Sequence, residues 1–192
     1  MKPLQRDEDL VYYLITDPQY YSNDVDKFKK KLKTVLKTKK VDYACFRDKS
    51  SKNYEELALV FVKVCKKYGV KQILLNENIS LAKKLKCGIH LTSKQFDLIK
   101  EAKEHDLYVV ISCHDILQIE KAQKAYVNAV TYSPIFDTPN KGEAKGIGNL
   151  KKILSIFDMN IIALGGIIND KQIEDISNTK AYGFSSIRYF LS

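Results

Sequence analysis

Eight short runs of apolar, β-branched and aromatic residues alternate with amphipathic segments along the chain, and this alternation constrains the fold more than any other feature. The runs are VYYLIT (11–16), VDYACFR (41–47), QILLN (72–76), GIHL (88–91), LYVVISC (107–113), NAVTYS (128–133), NIIAL (160–164) and AYGFSS (181–186). Each has the length and composition of a strand. The first intervening segment carries Val25, Phe28, Leu32, Val35 and Leu36 at helical spacing. The second, at 53–68, carries Leu57, Leu59, Val60, Val62 and Val64. Further helices are expected over ISLAKKL (79–85), from a cap at Ser93 through Ala102, at 116–125, at 149–157, and from a cap at Asp170 through Ile176.

Strand–helix–strand repetition implies parallel strands joined by helical crossovers. Eight units of about 24 residues close naturally into a small α/β protein, a (β/α)₈ TIM barrel, here as a single domain over 1–192. The competing open doubly wound sheet normally carries a glycine fingerprint after its first strand, and TDPQYYSND has no glycine. The chain stops soon after the eighth strand, so the last helix is expected to be truncated. A second copy would cover that edge in a homodimer.

Composition limits the function classes. An apolar content of 45% in 192 residues supports a real core. No apolar stretch approaches the ~20 residues that span a bilayer. MKPLQRDEDL is acidic where an export signal would be apolar, so no such signal is read. Cys45, Cys65, Cys87 and Cys113 are well separated and only three histidines are present, which disfavours zinc and suits reduced thiols in a cytoplasmic protein. The net charge of +9 attracts anions. Eight lysines lie in KFKKKLKTVLKTKK (27–40), which reads as a solvated helix face; no Arg–aromatic or glycine-rich motif supports nucleic-acid binding.

In a barrel, chemistry gathers where strands end and βα loops begin. Gly165 and Gly166 close the seventh strand; Ser185, Ser186 and Ile187 close the eighth. Barrels often bind phosphate at these two ends, through loop amides, and the glycine pair lets backbone N–H groups approach a ligand. The alternative is a simple tight turn. His114 follows the fifth strand, as either a proton carrier or a histidine bonded to backbone. His90, flanked by Ile89 and Leu91, reads as a satisfied core residue, and His105 as solvated. Arg47, Lys49 and Lys141 suggest a second anionic group. Gly142, Gly146 and Gly148 suggest that the loop bearing Lys141 moves as a lid.

Read in order, the strand ends resemble the thiamin phosphate synthase/TenI family. YLITD (13–17) is similar to its opening strand, CFRDKS (45–50) to its QLRxK segment, and LLNENISLA (74–82) to its NDRxxxA stretch. CGIHL (87–91) resembles DGxHL, ISCH (111–114) resembles SxH, and SPIFDTPNK (133–141) resembles GPxFxTxTK. ALGGI (163–167) matches AxGGI, and GFSSI (183–187) resembles the last strand.

The resemblance implies a role in thiamin biosynthesis, with a thiazole phosphate as small-molecule partner, held near Gly165, Gly166, Ser185, Ser186 and Ile187. It implies no nucleic-acid or membrane partner. Two activities compete. A TenI-like thiazole tautomerase would shift a proton with His114 and need no cofactor. A thiamin phosphate synthase would join hydroxymethylpyrimidine diphosphate to the thiazole phosphate with Mg²⁺, using Arg47, Lys49, Asn76, Ser112 and Lys141 for diphosphate and Glu77 for metal. The departures favour the tautomerase. Cys45 replaces a pyrimidine-contacting glutamine, and uncharged Gln95 falls where the second metal carboxylate belongs, with Asp97 two residues on. A silent phosphometabolite-binding protein is the third reading.

Overall fold

The computed structural model describes residues 10–139 and 141–191. The export-signal reading on residues 1–9 therefore lies outside the described residues. Eight parallel strands close into a barrel in sequence order: β1 (Val11–Ile15), β2 (Tyr43–Phe46), β3 (Gln72–Asn76), β4 (Gly88–Leu91), β5 (Val109–Cys113), β6 (Ala129–Tyr132), β7 (Ile161–Leu164) and β8 (Gly183–Ser186). β8 pairs with β1, Tyr13 opposite Ser185, which completes the ring. The crossovers are α1 (Val25–Thr38), α2 (Tyr54–Lys67), α3 (Ile79–Leu85), α4 (Ile99–Glu104), α5 (Ile116–Lys124), α6 (Gly146–Ile156) and α7 (Asp170–Ser177). The small (β/α)₈ barrel expected from the alternation is therefore present.

The two-residue period of a strand sends successive side chains to opposite faces. Leu14, Ala44, Leu75, Ile111, Val130 and Ala163 belong to the core between barrel and helices. Tyr13, Ile15, Tyr43, Cys45, Leu74, Val110, Ala129 and Ile162 fill the interior. At the bottom, the Tyr43 hydroxyl bonds those of Tyr108 at 3.1 Å and Tyr182 at 2.8 Å. At the top, the inward positions turn polar.

Short Asx caps start four helices. Asp24, Asn78, Asp115 and Asn169 accept from the N–H groups of Lys27, Leu81, Gln118 and Gln172. Two expected caps are corrected. Asn169 caps α7, and Asp170 becomes its first helical residue. Ser93 lies in a turn before a 3₁₀ segment at Phe96–Leu98, where Gln95 folds back to accept from Thr92 N–H at 3.0 Å. In α2 the buried face is Leu57, Ala58, Phe61, Val62, Val64 and Cys65; Leu59 is exposed, because the 3.6-residue period puts it opposite that face. Helix α6 starts at Gly146, earlier than the expected Asn149.

Among the described residues β8 is followed by a 3₁₀ turn at Tyr189–Leu191, whose aromatics cover the outer face of the last strand. Phe190 stacks on Phe184 with ring centroids 6.0 Å apart. Tyr189 packs edge-on against Phe184 and donates its hydroxyl to Asp170 at 2.9 Å. The chain's own rings thus pack against the outer face of β8.

Candidate functional site at the barrel mouth

A cavity of about 650 Å³ opens at the C-terminal ends of the strands. Its wall includes Arg47, Lys49, Asn76, Ser112, His114, Lys141, Gly165, Gly166, Ser185, Ser186 and Ile187, so the fold gathers these widely separated candidates around one space. Glu77 lies in an adjoining groove that shares Lys49 and Asn76 with the cavity wall.

The glycine pair serves two purposes. Gly165 and Gly166 have φ of 101° and 71°, a region where side chains are strained. A Cβ on Gly165 would stand 2.8 Å from Pro134, and one on Gly166 would stand 2.6 Å from the Asp137 carbonyl oxygen. The loop after β6 lies directly on them, donating Ile135 N–H to Leu164 and Phe136 N–H to Gly165. The glycine pair thus admits a closely packed loop, and beside it lies an open amide edge. Among the described residues, the N–H groups of Gly166, Ile187 and Arg188 have no protein acceptor.

The serine hydroxyls are committed elsewhere. Ser185 donates to the Tyr13 carbonyl at 3.0 Å, and Ser186 donates to the Ile167 carbonyl at 2.7 Å while accepting from Tyr189 N–H. A phosphate here would meet backbone amides rather than the Ser185 and Ser186 hydroxyls. This is the kind of concave amide edge that binds anions.

The opposite wall is cationic, and Arg47 and Lys49 are already paired. Arg47 is anchored by a reciprocal bond in which its N–H donates to Thr16 Oγ1 at 2.9 Å and that hydroxyl donates to the Arg47 carbonyl. Its guanidinium pairs with Asp17. Lys49 pairs with Glu77 at 3.3 Å. Asn76 donates its side-chain amide to the His90 carbonyl at 3.0 Å. Glu77 is a non-glycine residue with φ of 65°, held by its own N–H on that same carbonyl.

Two histidines differ in environment. His90 is buried, with Nδ1 2.8 Å from the Tyr13 hydroxyl and Nε2 3.1 Å from Ser112 Oγ. Burial, helped by the nearby Arg47 charge, pushes its pKa down to about 4, so the ring is neutral and one nitrogen donates while the other accepts. The satisfied-core reading of His90 is correct, although the ring also forms part of the cavity floor. Beside it, burial raises the Cys45 thiol to about 12, so this replacement for a glutamine is an uncharged thiol. His114 is exposed at the rim. Its Nδ1 stands 3.1 Å from the Ser133 carbonyl oxygen. A carbonyl can only accept, so Nδ1 carries the proton in this bond, and a neutral ring then presents Nε2 as a base.

The loop bearing Lys141 is tied at both ends: Lys145 N–H donates to Pro134 and Gly146 N–H to Ile135. Gly146 and Gly148 lie in α6, so Gly142 alone of the three glycines offered for a moving lid belongs to the loop.

Among the described residues, no group of three or more His, Cys, Asp or Glu side chains is arranged to hold a metal. Gln95 contributes no charge, and its oxygen already accepts from Thr92. The donor set fits a Mg²⁺ ion shared with substrate phosphates and mostly hydrated, which needs only one or two protein carboxylates. Glu77 is the residue that would hold it.

Sequence reasoning missed Asp17, Tyr20 and Arg188, which also line the cavity. Arg188 had a usable signal. It directly follows Ile187 and is one of just three arginines in a chain of 32 basic residues.

Comparison with known proteins accords with this architecture. The sequence profile of the family described as Thiamine monophosphate synthase matches residues 12–190. A protein from Aquifex aeolicus, provisionally named thiamine-phosphate synthase 2, is 31% identical over 185 residues, covering 93% of this chain and 96% of the relative. The thiamine-phosphate synthase of Limosilactobacillus reuteri is 24% identical, over 93% of this chain and 87% of that one. The structure of a thiamine phosphate pyrophosphorylase from Pyrococcus furiosus superposes with a TM-score of 0.79 at 18% identity, covering 93% and 85% of the two chains, and so shares the fold. The chain belongs to the thiamine monophosphate synthase/TenI family.

Proposed function

We propose that this protein is a thiamin phosphate synthase, which joins the hydroxymethylpyrimidine of a diphosphate ester to a thiazole phosphate. One observation carries the reading: a single cavity has two separate anion-binding walls, bare amides at the ends of β7 and β8 and a cationic set after β2, β3 and β6. A bisubstrate reaction with two phosphorylated partners uses the whole of both walls, whereas a tautomerase would use the second only for a thiazole carboxylate at Arg47 or Lys49. The synthase names of the matching relatives lend support and reverse the preference drawn from Cys45 and Gln95.

In this reading the amides of Gly166 and Ile187 bind the thiazole phosphate. Arg47, Lys49, Asn76 and Lys141 take the diphosphate, which displaces Asp17 and Glu77 from their cations. Ser112, held by neutral His90, lines the floor between the two anions. The thiazole ring nitrogen gives its lone pair to the pyrimidine methylene carbon as the C–O bond breaks, diphosphate leaves with that bond's electron pair, and the cations stabilise the departing charge. Mg²⁺, when bound with the diphosphate, would neutralise further charge on the leaving group. The test is Mg²⁺-dependent diphosphate release from the two substrates. No release at any Mg²⁺ concentration rules the synthase out.

The placement of His114, with Nδ1 anchored and Nε2 free, favours a second reading as a thiazole tautomerase. A metal-independent proton shift on the thiazole would identify it.

A further inference from the structure

We infer that Arg188 selects the charge of the thiazole-side substrate, distinguishing a phosphate ester from the free alcohol. The inference rests on the phosphate-site reading above and extends it to a residue outside the resemblance to the family motifs.

β1 lies between β8 and β2 in the closed barrel, so Arg188 and Arg47 flank the same strand end. Asp17, at that strand end, pairs with Arg47. Arg188 has no acidic partner among the described residues, and it lines the cavity. Its own N–H and those of Ile187 and Gly166 are also without protein acceptors. A positive charge without a carboxylate partner thus belongs to the residue that carries one of these open amides, while Arg47 and Lys49 across the cavity pair with carboxylates.

The two kinds of group do different work. Amides bind any oxygen acceptor of suitable shape. A guanidinium adds a charge-dependent contribution and can meet two phosphate oxygens at once with its planar fork. The alcohol has no charge for it to answer. Lysine would keep the charge and lose the fork.

Titration calorimetry tests this with 4-methyl-5-(2-hydroxyethyl)thiazole phosphate and with the corresponding alcohol as probes. The native chain, Arg188→Gln and Arg188→Lys are compared at low and high salt. The exposed position of Arg188 makes both variants tolerable to the fold, and thermal unfolding checks this. Arg188→Gln should weaken the ester about tenfold, leave the alcohol unchanged and flatten the salt dependence of ester binding. Arg188→Lys should fall between. If native and Arg188→Gln bind the ester equally with the same salt dependence, Arg188 has no such role although the amide site stands. If the native chain binds no ester, the phosphate site itself is wrong.

Discussion

Lys49 Nζ lies 3.3 Å from the carboxylate of Glu77, so the residue suited to Mg²⁺ begins in an ion pair with a cation suited to diphosphate. Binding of metal and diphosphate together would exchange these partners. Each half of the pair would find a stronger counter-charge, one in the ion and one in the substrate. The pair is exposed, so its own contribution to stability is small.

With Glu77 as the one carboxylate expected to hold the metal and uncharged Gln95 in place of a second, metal affinity should be poor and improvable. Gln95→Asp adds an anionic oxygen and removes the long side chain that folds back on Thr92. The Mg²⁺ concentration giving half-maximal diphosphate release should fall by roughly tenfold, the equivalent of about 1.4 kcal/mol. Glu77→Gln should raise it. An unchanged Mg²⁺ dependence in both variants would remove Glu77 from the metal site.

His90 predicts an acid-sensitive fold. Its folded pKa is lowered to about 4 from 6.5, so between these values the unfolded chain binds a proton that the folded chain refuses. Stability is therefore fully present above pH 6.5 and declines as pH falls toward 4. The full effect is roughly 3 kcal/mol, from a depression of about 2.5 units at about 1.4 kcal/mol each. Urea unfolding of the native chain across pH 4–7 should show this slope, and His90→Gln should lose most of it. Equal slopes in the two proteins would refute the assignment.

Much of this architecture was legible because it depends on local periodicity. QILLN, GIHL and ISLAKKL match β3, β4 and α3 at both ends. Leu59 shows where composition misleads: it is apolar, but its angular position on α2 faces solvent. The positions around the cavity were also legible, because strand order in a barrel maps chain position onto the rim. Partners were not. Nothing in the local sequence tells that Ser186 spends its hydroxyl on Ile167, or that Lys49 meets Glu77 from the next strand. Those pairings depend on distances across the closed sheet. Arg188 was not locally legible for another reason: it lies one residue beyond GFSSI, and nothing local marks a surface arginine as facing a cavity.

Gly166 offers a stability test with an internal control. Gly166→Ala forces a Cβ to within 2.7 Å of the Phe136 carbonyl while keeping φ at 71°. Backbone cannot yield there as a flexible side chain would. The expected loss is about 1–3 kcal/mol, with weaker binding of the thiazole phosphate. Gly148 has open space around its Cβ position and lies in α6. Gly148→Ala should instead stabilise the protein by about 0.5–1 kcal/mol. Denaturant unfolding of both variants reads the contrast, and a neutral Gly166→Ala would mean that the loop on β7 is free to shift.

His114 separates the two activities because its two nitrogens have different surroundings. Nδ1 is tied to Ser133, which fixes the ring, while Nε2 is the atom able to exchange a proton with a ligand. Asparagine can keep an N–H near the Ser133 carbonyl but has nothing in place of Nε2. His114→Asn should therefore preserve the rim and abolish proton transfer. For a tautomerase, the metal-independent shift should drop by roughly 10²–10⁴-fold, the usual worth of a positioned acid–base group. For a synthase, bond formation with departing diphosphate needs little help from this base, and the same variant should retain diphosphate release within about tenfold, a barrier change of roughly 1.4 kcal/mol. Measuring both reactions on native and His114→Asn protein distinguishes the cases. A native chain that releases diphosphate but loses that activity completely in His114→Asn would contradict this division, and would place Nε2 within the synthase chemistry itself.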